Sequence, residues 1–107
     1  SYLRKIVDTV IEHGAVPVLA TKADNLEGDH EINHAIVNLA YEYEIPLWNF
    51  WLAVQPIPAH GLQKDGFHLT NGINDFSSSI QLKRGWVQRN LTALQVLDAV
   101  RKELENP

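Results

Sequence analysis

Two stretches of this sequence hold residues whose types and spacing could do chemistry. His30-Glu31-Ile32-Asn33-His34 reads as H-E-x-x-H. On a helix the two imidazoles share one face, so they could hold one zinc ion while Glu31 acts as general base on its bound water. Asp65-Gly66-Phe67-His68 sets a carboxylate three residues ahead of an imidazole. A carboxylate that holds one ring N–H fixes the tautomer and stabilises the imidazolium; the other nitrogen is then free to take a proton from a nucleophile. The two chemistries are alternatives, and each needs a further group: a third metal ligand in one case, a nucleophile in the other.

The third zinc ligand is missing from the local pattern. The extended motif asks for Gly at 37 and His at 40, where Val37 and Ala40 stand, and Glu42 and Glu44 follow too closely to return to the metal. His30, Glu31 and His34 also fall off the Ile32/Ile36/Leu39 stripe, as the polar face of a packing helix would. A zinc peptidase is therefore the third-ranked reading, and no resident metal or cofactor is expected. The Asp65-x-x-His68 spacing has a bland reading too, an Asx-turn beside a surface histidine. Gly66 favours cooperation between the two side chains because it lets the backbone turn sharply.

The elements that must position these residues follow from apolar periodicity. Leu3, Ile6, Val7, Val10 and Ile11 predict a helix over residues 2–13, stopped by Gly14. "AVPVLAT" predicts a buried strand at 16–20, with Pro17 tolerated near its start. A second helix is predicted over 30–43 and a second strand over "IPLWNFW" at 45–51, with 45–50 as its pairing part. A Pro- and Gly-punctuated loop then leads to "FHLT". A last helix over 84–104 carries Val87, Leu91, Leu94, Leu97, Val100 and Leu104. This alternation is that of an α/β layer protein, with the strands pairing in parallel across the 30–43 helix. Two strands are few for such a sheet, so one strand edge should stay open for another chain or segment.

Composition narrows the function classes. The 107 residues are 45% apolar and 21% charged, as in an ordinary globular domain, and the net charge of −4 with no Lys/Arg cluster argues against a nucleic-acid partner. No apolar run approaches the ~20 residues of a membrane span. Cysteine is absent, which removes thiolate chemistry and leaves the compartment open between a bacterial cytoplasm and export.

The run "VPVLATKADN", the segment "LAYEYEIPLW" and the block "GLQKDGFHLT" together resemble the C-terminal half of the SGNH, or GDSL-type, hydrolases. The resemblance covers about residues 3 to 70, and the last helix also fits the family. It implies a three-layer, flavodoxin-like α/β fold with a parallel sheet, of which residues 1–107 form the C-terminal part. It implies a serine hydrolase of esters (an esterase, lipase or carbohydrate acetylesterase) in which Asp65 orients His68 and His68 is general base and then general acid. No G-D-S motif occurs here, so the nucleophilic Ser and the oxyanion-hole residues are expected in an N-terminal portion, and the chain alone should be inactive. That portion is also expected to complete the open sheet edge; without it, self-association or marginal stability is expected.

Several further residues invite readings. Thr21, Lys22 and Asp24 follow the first strand at the ligand end of the sheet and are substrate-side candidates. His60 could touch substrate, and Trp48, Phe50 and Trp51 could line a pocket, though burial suits at least Trp48 and Phe50 better. Ser77-Ser78-Ser79 reads as a loop, not as a nucleophile elbow. Asn90-Leu91-Thr92 is a glycosylation sequon inside a predicted helix. The runner-up to the hydrolase is a noncatalytic α/β binding or assembly module.

Overall fold

Ser1 starts the first helix by accepting the Arg4 N–H on Oγ at 3.2 Å, and α1 runs over Tyr2–Glu12. It ends where Gly14 takes the left-handed conformation (φ +80°) that a side chain would resist. The structure, a computed structural model, describes residues 1–105. After α1 come β1 (Leu19–Ala20), α2 (Glu31–Tyr43), β2 (Leu47–Trp48), α3 (Phe50–Val54) and α4 (Gly85–Glu105). The chain is thus an α/β fold with a two-stranded parallel sheet and four α-helices among the described residues.

The register pairs Leu19 with Leu47 and Ala20 with Trp48. Because successive side chains point to opposite faces, Leu19 and Leu47 feed one core and Trp48 the other, while Ala20 is exposed. Leu19 is buried with Val7, Leu39 and Ala40, with Leu47 packed against them, under α1 and α2. Trp48 packs on the other cluster, Ala23, Phe50 and Val54, and its Nε1–H donates to Thr92 Oγ1 of α4 at 2.9 Å. That bond, with the Thr92 hydroxyl donating to the Gln88 carbonyl at 2.7 Å, gives the sequon threonine a packing role inside a helix. α1 is tied to α2 by the Arg4–Glu42 ion pair and by Tyr43 Oη donating to Asp8 at 2.7 Å.

The strands pair in parallel as expected, but both are shorter than the predicted 16–20 and 45–50. Leu19 N–H donates to the Pro46 carbonyl and Thr21 N–H to the Trp48 carbonyl. Pro17 can donate nothing on the N-terminal side. On the C-terminal side Asn49 ends the strand: its Oδ1 accepts the Leu52 N–H and starts α3, so Phe50 and Trp51 are helical instead of extended. The outward edge of β1, at Val18 and Ala20, has no strand beside it among the described residues.

The molecule is also less compact than its length predicts. The radius of gyration is 15.0 Å and the thinnest extent 18 Å. A typical globular domain of this length has a radius near 13 Å. The exposed surface is 7311 Å², where a folded monomer of this size exposes about 6,000 Å². Leu94, Leu97 and Leu104, half of the predicted α4 stripe, are more than half exposed.

The segment that carries "DGFHLT" is pinned at both ends. Leu62 and Leu69 form an antiparallel bridge, and Gln63 N–H donates to the His68 carbonyl at 2.8 Å. Leu69 packs on the Phe50/Val54 cluster. Thr70 then caps α4: its Oγ1 accepts the Gly85 N–H at 2.7 Å and donates to the Gly61 carbonyl at 3.3 Å. Thr70→Val keeps the shape and removes both bonds, so it should cost about 1–2 kcal/mol in denaturant unfolding, with Thr70→Ser recovering most of it.

Candidate functional site

Asp65 and His68 meet at the tip of this hairpin. Asp65 Oδ1 accepts the N–H groups of Phe67 and His68, at 2.9 and 3.0 Å, in an Asx-turn. Gly66, at φ +70°, makes the turn possible. The other oxygen, Oδ2, lies 2.6 Å from His68 Nδ1. A carboxylate only accepts, so Nδ1 carries the proton and neutral His68 presents its lone pair at Nε2. The expectation that the two side chains approach within hydrogen-bond reach is met.

The Asp65 carboxyl is held down at about 2, first by the hydrogen bond from His68 and then by the backbone N–H groups of Phe67 and His68. Its folded value lies below the ordinary 3.8. The stability that the Asp65 carboxylate contributes is therefore present above pH ~4 and lost as the pH falls from there through about 2. A carboxyl-carbon NMR titration should find the Asp65 midpoint near 2. In His68→Ala the midpoint should rise towards the ordinary value but stop short of it, because the two backbone donors remain.

The pair stands beside the carboxyl end of the parallel strands. Phe67 meets the His68 ring edge-on, with centroids 4.8 Å apart. Phe67 also lines a depression of about 290 Å³ together with Lys22, Asp24, Trp48, Leu69 and Arg89. Asn33 holds the Lys22 backbone at both polar groups: Oδ1 accepts its N–H and Nδ2 donates to its carbonyl, at 2.9 and 2.8 Å. Lys22 Nζ reaches Asp24 at 3.0 Å and Glu27 at 2.6 Å. Partial burial works against its charge, but the bonds to Glu27 and Asp24 outweigh this and raise its pKa.

Of the three substrate-side candidates, Lys22 and Asp24 line the depression with their charged groups paired to each other. Thr21 reaches the wall as well, yet its hydroxyl is spent inside the protein. It donates to Asn49 Oδ1 at 2.9 Å and accepts the Trp51 N–H at 3.0 Å, which locks β1 to the start of α3. Nothing in the local pattern marks Phe67 or Arg89. Arg89 sits among the polar positions of a helix, and only the docking of α4 on Trp48 brings it here.

The remaining candidates do not form a second site. His30 precedes α2 in the left-handed conformation (φ 52°), yet its ring lies 6.2 Å from that of His34, and the two line a shallow pocket with Asn33 and Trp51. His30 is half-buried, edge-on to Trp51 at 5.3 Å, which corrects its expected place on the exposed face of a helix. No group of three or more metal-ligating side chains occurs among the described residues. Ser77 Oγ donates to Asp75 at 2.6 Å, Ser78 Oγ accepts the Gln81 N–H, and no serine is hydrogen-bonded to His68 among the described residues. His60 Nδ1 lies 3.1 Å from the Gln55 carbonyl. No helix is long and apolar enough to cross a membrane among the described residues. Comparison of the chain with protein-family models, with curated proteins and with solved structures finds no match.

Proposed function

We propose that this chain supplies the Asp–His pair of an SGNH-type serine ester hydrolase, with the nucleophile and oxyanion donors on a segment outside the 107 residues. The observation that carries the reading is the 2.6 Å Asp65–His68 pair. The second Asp65 oxygen is fixed by two backbone donors, and the pair stands beside a depression at the carboxyl end of parallel strands, where α/β sheets bind ligands. The open β1 edge and the excess surface support a sheet completed by that other segment, in a three-layer, flavodoxin-like arrangement.

In this mechanism His68 Nε2 takes the hydroxyl proton of the serine as its oxygen bonds to the ester carbonyl carbon. Asp65 holds the resulting imidazolium. Collapse of the tetrahedral intermediate breaks the bond to the alcohol oxygen, and His68 returns the proton to that oxygen. Water then attacks the acyl-serine, giving its proton to His68; the acid departs and the serine regains its proton.

The test compares hydrolysis of p-nitrophenyl acetate by the 107-residue chain and by the chain extended upstream through its own gene. The reading expects activity only in the extended protein. An inactive extended protein would favour the runner-up, a noncatalytic α/β binding module that associates through the open edge.

A further inference from the structure

We propose that the depression beside His68 seats the alcohol half of a carbohydrate ester, Asp24 accepting from its ring hydroxyls and Arg89 donating to them. The inference rests on the hydrolase reading for its chemistry, but its binding argument stands on the walls of the depression.

The Asp24 side chain is only 8% exposed. Its Oδ2 is taken by Lys22 Nζ at 3.0 Å and by the Leu26 N–H at 3.4 Å. Oδ1 has no hydrogen-bond partner among the described residues, and because none of their buried side-chain polar atoms is left unsatisfied, that oxygen keeps contact with solvent on a residue that lines the depression. Arg89 is the complementary group. Its guanidinium lies over Trp86 at 5.1 Å and gives one hydrogen bond, to Asn90 at 3.3 Å. No carboxylate pairs with it among the described residues, so most of its five donors are available.

Aromatic residues share the lining with these polar groups. Phe67 is half exposed, and Trp48 has its indole N–H already satisfied by Thr92. An acceptor and a donor fork in one lining with aromatic residues suit a ring with hydroxyls at its rim and C–H groups on its faces. A fatty acyl chain suits it poorly, because seating one would strip water from Asp24, Lys22 and Arg89 without replacing the hydrogen bonds. The volume of about 290 Å³ fits one sugar ring.

The experiment is an NMR titration of the 107-residue chain with methyl galactoside and methyl xyloside, against 1-hexanol as a neutral apolar probe. The glycosides should shift the Arg89 side-chain N–H and the Trp48 indole N–H saturably. Asp24→Asn and Arg89→Gln should each weaken the binding by about fivefold, the loss of one hydrogen bond. Arg89 is exposed, so its variant tests the idea even where Asp24→Asn fails to fold. Hexanol saturating the site in place of the glycosides would overturn the proposal, as would no glycoside shifts at all or a glycoside affinity unchanged in Arg89→Gln. Binding needs no nucleophile, so failure here leaves the hydrolysis test standing, and failure of hydrolysis leaves this one.

Discussion

Replacing His68 with alanine in a protein that joins this chain to its nucleophile-bearing segment should lower kcat for an activated ester on the order of a million-fold. Losing the base alone costs that much where a triad acts as a unit. Asp65→Asn should cost less, about ten-thousand-fold, because the imidazole remains but is held in the wrong tautomer. The two losses should not add: the double variant should be no slower than His68→Ala, since Asp65 acts only through the ring it holds at 2.6 Å. Steady-state rates on p-nitrophenyl acetate decide the matter. Equal, small effects of both variants would mean that the pair is an Asx-turn with a surface histidine and nothing more.

The largest effect on stability is expected at the contact that docks the "DGFHLT" hairpin on the last helix. A Cβ on Gly85 would stand 2.1 Å from the Gly61 carbonyl oxygen, and one on Gly61 would stand 2.8 Å from the Gly85 Cα. Both clashes are with backbone, which cannot swing aside like the end of a side chain. Gly85→Ala should therefore destabilise by about 3 kcal/mol or more, at the upper end of what overpacking costs. It should also loosen Thr70, whose Oγ1 takes the Gly85 N–H. Gly66→Ala is the control: a Cβ there meets nothing within 4 Å, and only the positive φ of +70° opposes it. About 1 kcal/mol is expected for that variant. Urea unfolding of the two variants beside the parent chain measures the contrast.

The helices were legible because their signals are local. Leu3, Val7 and Val10 keep one spacing, Gly14 stops the chain, and α1 and α2 fall within two residues of the ranges their patterns predict. The Asp65–His68 pair was legible for the same reason, since three residues and a glycine hold all of its geometry. What local pattern could not show depended on distant partners. Phe50 and Trp51 read as strand from their β-forming types, yet Asn49 caps a helix there, and its Oδ1 is in turn held by the Thr21 hydroxyl from 28 residues away. Arg89 reaches the depression only through the packing of α4 on β2. The exposed Leu94 and Leu97 kept their helical spacing but not their expected burial, because no strand among the described residues covers that part of α4.

The central claim is that His68 serves a serine on another segment, and covalent labelling tests it most directly. A fluorophosphonate probe should add to one serine outside residues 1–107 in the extended protein, as read by intact mass and peptide mapping. The adduct should disappear in His68→Ala, because the base that activates the hydroxyl is gone. The 107-residue chain alone should take up no label. An adduct on Ser77, Ser78 or Ser79, or labelling that persists undiminished in His68→Ala, would contradict the claim.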